Sequence, residues 1–179
     1  SAGYGFGATA TQAGLFLLPS SVAMLFAGPL AGALGRRYGS KWPLAGGMVV
    51  VSVSAGLFAV AHADPAPVLV ASALLGLGVG AAFAAMAGLI TDNVDQREVG
   101  VAAGMNTVVR MVGAVVGGQV GAALLTARTI SATEVPHESA YTITFVLSAA
   151  TALLAAGIAL LIATRPERRR LESVDVRAA

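Results

Sequence analysis

Five long apolar runs constrain this chain more than anything else in it. They occupy Ala13–Leu34, Pro43–Ala61, Val68–Ile90, Val101–Leu125 and Tyr141–Ala163, and each is 19 to 25 residues long. A helix needs about 17–25 predominantly apolar residues to cross a bilayer. Such runs leave almost no polar surface for a soluble fold, since 56% of the 179 residues are apolar and only 11% are charged. Soluble domains carry about 25% charged residues. None of the runs alternates with period two, which excludes a closed β-barrel and leaves membrane-spanning helices. The predicted fold is an all-α membrane protein: a segment 1–12, a five-span domain 13–163 and a polar tail 164–179.

The connections fix an orientation. One side holds GRRYGSKW (Gly35–Trp42), TDNVDQREVG (Thr91–Gly100) and the tail, with Arg36, Arg37, Lys41, Arg97, Arg165, Arg168, Arg169, Arg170 and Arg177. The other holds residues 1–12, HADPAP (His62–Pro67) and Thr126–Ala140, with Arg128 alone. Nine basic residues against one place the first side in the cytoplasm by the positive-inside rule. Segment 1–12 is then extracellular and the tail cytoplasmic, in a multi-pass protein of the cell membrane. The first span runs inward with no signal peptide ahead of it, which predicts at least one further span upstream.

The same bias accounts for the pI near 9.5. The net charge is only +2, so the basic residues mark topology rather than a nucleic-acid partner. The Arg165–Arg170 cluster reads as a topology anchor or as a site for anionic lipid. There is no cysteine, hence neither disulfide nor thiolate metal site. His62 and His137 lie in outer connections without clustered ligands, and no phosphate loop, dinucleotide fingerprint or nucleophilic triad is present. No metal, cofactor or enzymatic chemistry is expected.

Small residues mark helix seams in lipid, where close backbone approach must do what hydrophobic burial does in water. Gly28 and Gly32, the cluster Gly76, Gly78 and Gly80, and the pair Gly100 and Gly104 are candidates. So is the stripe Gly113, Gly117, Gly121. Pro19 and Pro29 fall inside the first span, where each removes a helical hydrogen bond.

Gly32–Lys41, GALGRRYGSK, resembles the loop signature of the major facilitator superfamily: Gly, three residues, Asp, Arg, any residue, Gly and two basic residues. Gly32, Arg37, Gly39 and Lys41 match, while Arg36 stands at the Asp position and Ser40 at a basic one. TQAGLFLLPSSVAMLFAGPLAG (Thr11–Gly32) is similar to the span preceding that loop in the second half of such proteins. VGVAAGMNTVVRMVGAVVGGQVGAALL (Val99–Leu125) is similar to the penultimate span of the fourteen-span multidrug:proton antiporter branch. The resemblance covers residues 10–165 and implies part of a C-terminal six-helix half, built as inverted three-helix repeats. It further implies a secondary transporter without covalent chemistry, exporting small hydrophobic or cationic compounds against proton entry, with an N-terminal half outside this sequence. A sugar or metabolite uptake carrier of the same superfamily, or an oligomeric membrane scaffold or channel subunit, are the alternatives.

One charge lies inside a span. At 100° per residue, Asn106, Arg110, Gly113, Gly117 and Gly121 fall within about 80° of one another on one helical face. Arg110 is about 14 Å from the nearer end of its span, close to the middle of a core about 30 Å thick. Its guanidinium cannot be neutralised, and a central arginine costs about 2.5–3.5 kcal/mol on insertion scales. Three readings stay open: snorkelling to the cytoplasmic rim, a buried structural pair, or a substrate and proton-coupling pathway with Asn106. No span contains Asp or Glu, so a carboxylate partner would come from outside this sequence. In the third connection Asp95 and Glu98 have capping-box spacing for the fourth span. Asp92 and Asp95 are also candidate latch partners for Arg36, Arg37 and Lys41.

Overall fold

The computed structural model of the protein describes residues 10–60, 65–127 and 138–161. Five helices make up nearly all of them: α1 (Ala10–Tyr38), α2 (Lys41–Val60), α3 (Pro65–Asn93), α4 (Val99–Thr126) and α5 (Glu138–Leu161). All five are long and apolar enough to cross a membrane. Residues 1–9, His62, His137, Arg128 and the tail with its arginine cluster lie outside the described residues.

The helices overrun the apolar stretches. Ala10–Gln12 form the first residues of α1, and Gly35–Tyr38 its last turn. The first connection therefore shrinks to Gly39 and Ser40. Gly39 ends α1 with φ +91°, the left-handed conformation that glycine adopts without a Cβ penalty. Its N–H donates to the Gly35 carbonyl at 2.8 Å. Pro43 follows in the first turn of α2 and Pro65 and Pro67 in the first turn of α3, where an N–H has no helical acceptor to lose. α1 runs unbroken through Pro19 and Pro29.

Packing is built on small side chains. α3 lies in the wedge between α1 and α2, and α2 packs in turn on α5, whereas α1 and α2 barely touch each other. A Cβ at Gly76 would run into the Ser20 backbone carbonyl of α1, and one at Gly80 would sit 2.7 Å from the Ala27 Cβ. Across the α2–α3 seam, a Cβ at Gly78 would lie 2.6 Å from the Gly47 carbonyl oxygen. Ser54, fully buried, donates to the Ala71 carbonyl at 2.7 Å, and Ser52 donates to the Ala149 carbonyl of α5 at 2.9 Å. Phe58 and Phe145 stack at 5.4 Å across the α2–α5 contact. Leu44, Ala45, Ala82, Ala85 and Ala159 form the apolar cluster that joins α2, α3 and α5.

α4 stands apart. It meets α3 and α5 sparsely, and none of its residues is buried. Among the described residues, the stripe Gly113, Gly117 and Gly121 therefore has almost no helix opposite it. A Cβ at Gly113 or Gly117 would meet nothing within 4 Å, and one at Gly121 would only reach the Thr144 methyl at 3.9 Å. Gly28, Gly100 and Gly104 likewise face open space. Within this chain the seams use Gly76, Gly78 and Gly80, joined by Gly47, which no GxxxG spacing singles out. The reason is geometric: a small face makes a seam only where another helix lies opposite it.

Candidate functional site

Two constellations carry polar chemistry. The first is at the end of the bundle that holds the basic first connection. Ser40, buried between α1 and α3, donates its hydroxyl to Asp92 Oδ2 at 3.0 Å. Gly88 makes room for it, since a Cβ there would stand 2.6 Å from Ser40 Oγ. One of the two residues that depart from the loop signature thus bonds to the last turn of α3. The basic residues turn elsewhere. Arg37 lies over the Tyr38 ring at 5.3 Å and Lys41 over the Trp42 ring at 5.8 Å. Gly32 sits one turn before Arg36, whose guanidinium lies 3.7 Å from the position of a Cβ there. Among the described residues, neither Asp92 nor Asp95 forms an ion pair with Arg36, Arg37 or Lys41.

Asp95 serves its own connection. Its Oδ1 accepts from the Arg97 N–H at 3.1 Å, and its carbonyl accepts from the Glu98 and Val99 N–H groups at 2.9 and 3.1 Å. The expected capping box is therefore corrected. The cap residue of α4 is Glu98, with no side-chain cap bond. The turn brings Asp95 Oδ1 to the N–H two residues on, not three.

The second constellation is on α4. Arg110 reaches across to α3 and places its guanidinium carbon 4.6 Å from the centroid of the Phe83 ring. That is within cation–π range. Phe83 is ten residues before Asn93, the end of α3, hence about 15 Å from that end. The guanidinium thus lies level with Phe83 rather than at the end of α3. The plane of the cation is covered by the ring, and its N–H edge has no hydrogen-bond acceptor among the described residues. Asn106 lies one turn away, half-buried and also without a hydrogen-bond partner among the described residues. Asp and Glu are absent from α1, α2 and α4, and occur in α3 and α5 only as Asp92 in the last turn and Glu138 at the first position.

The same face of α4 continues into a groove. Gly117, Gly121 and Leu124 form one wall, Thr144, Ser148 and Thr151 of α5 the other, with Met48 of α2 at the floor and about 500 Å³ between them. Gly117 is only about 20° around the helix from Arg110, while the guanidinium itself lies over Phe83 of α3, outside the groove's lining. The three hydroxyls donate to carbonyls of their own helix, Ala140, Thr144 and Leu147, each at 2.8 Å. They leave the groove wall apolar in character with only oxygen lone pairs exposed. No sequence signal marked Phe83, because an aromatic in an apolar run looks like any other lipid-facing or packing residue.

Tight small-residue helix packing, connections of a few residues at the basic end and one charge midway along an apolar span mark a multi-pass membrane protein. The sequence model of the Major Facilitator Superfamily matches residues 2–178, and the chain belongs to that superfamily. Its members are secondary transporters rather than enzymes, embedded in a lipid bilayer and acting on small molecules. No curated protein and no solved structure matches the chain.

Proposed function

We propose that this chain is the C-terminal part of a proton-coupled exporter of small hydrophobic or cationic compounds, with Asn106 and Arg110 on its coupling pathway. The observation that supports this is Arg110, held on Phe83 about 15 Å from the end of α3 rather than drawn to the rim. A fixed guanidinium at that depth acts on any carboxylate that comes near it. An opposite charge within about 4–6 Å lowers a carboxyl pKa by about 1–3 units. A carboxylate from the N-terminal half, or from a helix outside this sequence, would release its proton when paired with Arg110 and take one up when drawn away. Rocking of the two halves about a midplane site would alternate these states, so that proton entry and substrate exit share one movement. The basic end would face the cytoplasm, with Asp92 and Asp95 opposite Arg36, Arg37 and Lys41 forming a latch in one of the two states.

The test is efflux of a cationic dye from energised cells making the full-length protein. Arg110→Ala, at matched membrane levels, is expected to lose gradient-driven efflux. Arg110→Lys is expected to keep part of it, since a lysine retains the charge but not the planar fork. Dye uptake in place of efflux by the wild type would point to the uptake carrier instead.

A further inference from the structure

We infer that the ring face of Phe83 is a binding site for a lipophilic organic cation, and that Arg110 occupies it as an internal competitor. The ligand class rests on the export of cations proposed above. α3 packs against α1 and α2, so most of its middle is covered. Over residues 71–90 only Phe83 and Ala87 are exposed, and Phe83 is the large one of the two. An aromatic face attracts cations while carrying neither a charge nor a hydrogen-bonding group. Here the attracted cation is the chain's own guanidinium, 4.6 Å from the ring centroid. Arg110 is itself exposed, and α4 meets α3 only sparsely. Little besides the ring therefore holds the guanidinium in place. At an exposed site such a contact is worth about twofold to fivefold in an equilibrium, which another cation can match.

The displaced guanidinium has somewhere to go. Asn106 lies one turn before it on the same face, and its amide has no partner among the described residues. Side chains four apart on a helix are neighbours, so the amide oxygen can accept the N–H edge that the ring leaves bare. Thr107 does not compete, since its hydroxyl donates to the Ala103 carbonyl at 3.0 Å. Around Phe83 along α3 the chain offers Ala84, Met86 and Ala87, all apolar. The incoming cation thus meets a π-face and hydrocarbon, and no acceptor that the guanidinium has not taken. The fitting ligand is a permanent cation without N–H groups, a quaternary ammonium or phosphonium with apolar substituents. A protonated amine would leave its donors unsatisfied there, at a cost. Two positive charges cannot share one ring face, so ligand and Arg110 exclude each other. In the coupling role proposed above, an arriving cation frees the guanidinium for the carboxylate, whose proton then leaves.

The experiment is equilibrium dialysis of tetraphenylphosphonium against the full-length protein in detergent, without any gradient. Four forms are compared: the wild type, Arg110→Gln, a trifluorinated phenylalanine in place of Phe83, and the two changes together. Fluorines draw charge from the ring face and keep its shape, so folding is not at stake. Arg110→Gln is expected to tighten binding roughly fivefold by removing the competitor. Fluorination in the Arg110→Gln background is expected to abolish that gain. Fluorination alone should shift affinity by less than about twofold, because both cations lose the same face. A gain from Arg110→Gln that survives fluorination would mean simple charge repulsion and would overturn the ring as the site. Unchanged or weaker binding by Arg110→Gln would overturn the competition. Binding needs no gradient, so the expected pattern in a protein that exports no cationic dye would sink the export reading and leave the site standing.

Discussion

Gly78→Ala sets two physical effects against each other, and the structure says which wins. Helix propensity favours alanine by about 0.8–1.0 kcal/mol. Packing opposes it: the new Cβ would lie 2.6 Å from the Gly47 carbonyl oxygen, 2.7 Å from Val51 Cγ2 and 2.9 Å from the Val51 nitrogen. The first and third of these are backbone atoms, which cannot rotate away. The closest contact is roughly 1 Å short of the 3.5–4.0 Å optimum for non-bonded atoms, so α2 and α3 must separate by that order. A gap of 0.5–1 Å forfeits about a quarter to a half of each contact's attraction, here along the Ser54–Ala71 bond and the Leu44, Ala45, Ala82, Ala85 cluster. Overpacking of this kind costs about 1–3 kcal/mol, so the net change is destabilising. Gly47→Ala meets the reciprocal obstacle, 2.7 Å from the Gly78 carbonyl oxygen. Because one separation relieves both, the double variant should lose less than the sum of the singles, with a coupling of about 0.5 kcal/mol or more. The assay is thermal denaturation of the full-length protein in detergent, read as the fraction still monodisperse after heating. A midpoint for Gly78→Ala equal to or above that of the wild type would refute the close α2–α3 approach. Strict additivity in the double variant would refute the shared cause.

Three further outcomes follow from particular contacts. Ser40→Ala removes the hydroxyl bonded to Asp92; with that acid exposed to solvent, the loss should be about 1 kcal/mol, read by the same denaturation assay. It should not add to the loss in Asp92→Ala. Gly39→Ala places a Cβ at φ +91° and should cost about 1–2 kcal/mol, although nothing lies within 4 Å to clash with it. Gly39→Asn, which tolerates the left-handed region better, should recover part of that loss. Ser52→Ala should cost about 0.6 kcal/mol, the average for hydrogen bonds between membrane helices, a smaller loss than that of Gly78→Ala in the same assay.

The five spans were legible because lipid imposes a length and a composition that no short motif has to supply. Their ends were less so. Gly35–Tyr38 and Thr91–Asn93 look like loop by polarity, yet backbone bonds carry the helices through them until Gly39 and Val94. The glycine spacing identified small faces on α1, α3 and α4 alike, but only those on α3 meet a backbone. What lies opposite a face is a property of the assembly and not of the helix that bears it. Arg110 and Asn106 stood out as polar residues at hydrocarbon depth, whereas Phe83, which holds the guanidinium, belongs to a run that is apolar but for Ser72. Ser40 read as a gap in the loop signature; only the packing of Gly88 against it reveals the donor to Asp92. The charge count that oriented the chain rests in large part on the tail beyond Leu161, outside the described residues.

The most direct test of the coupling role uses the full-length protein reconstituted in proteoliposomes, with dye flux measured with and without an imposed pH gradient. The wild type should move dye faster down the gradient-driven direction, and Arg110→Ala should still bind dye while its flux ignores the gradient. An Arg110→Ala protein whose flux responds to the gradient as the wild type's does would contradict the account.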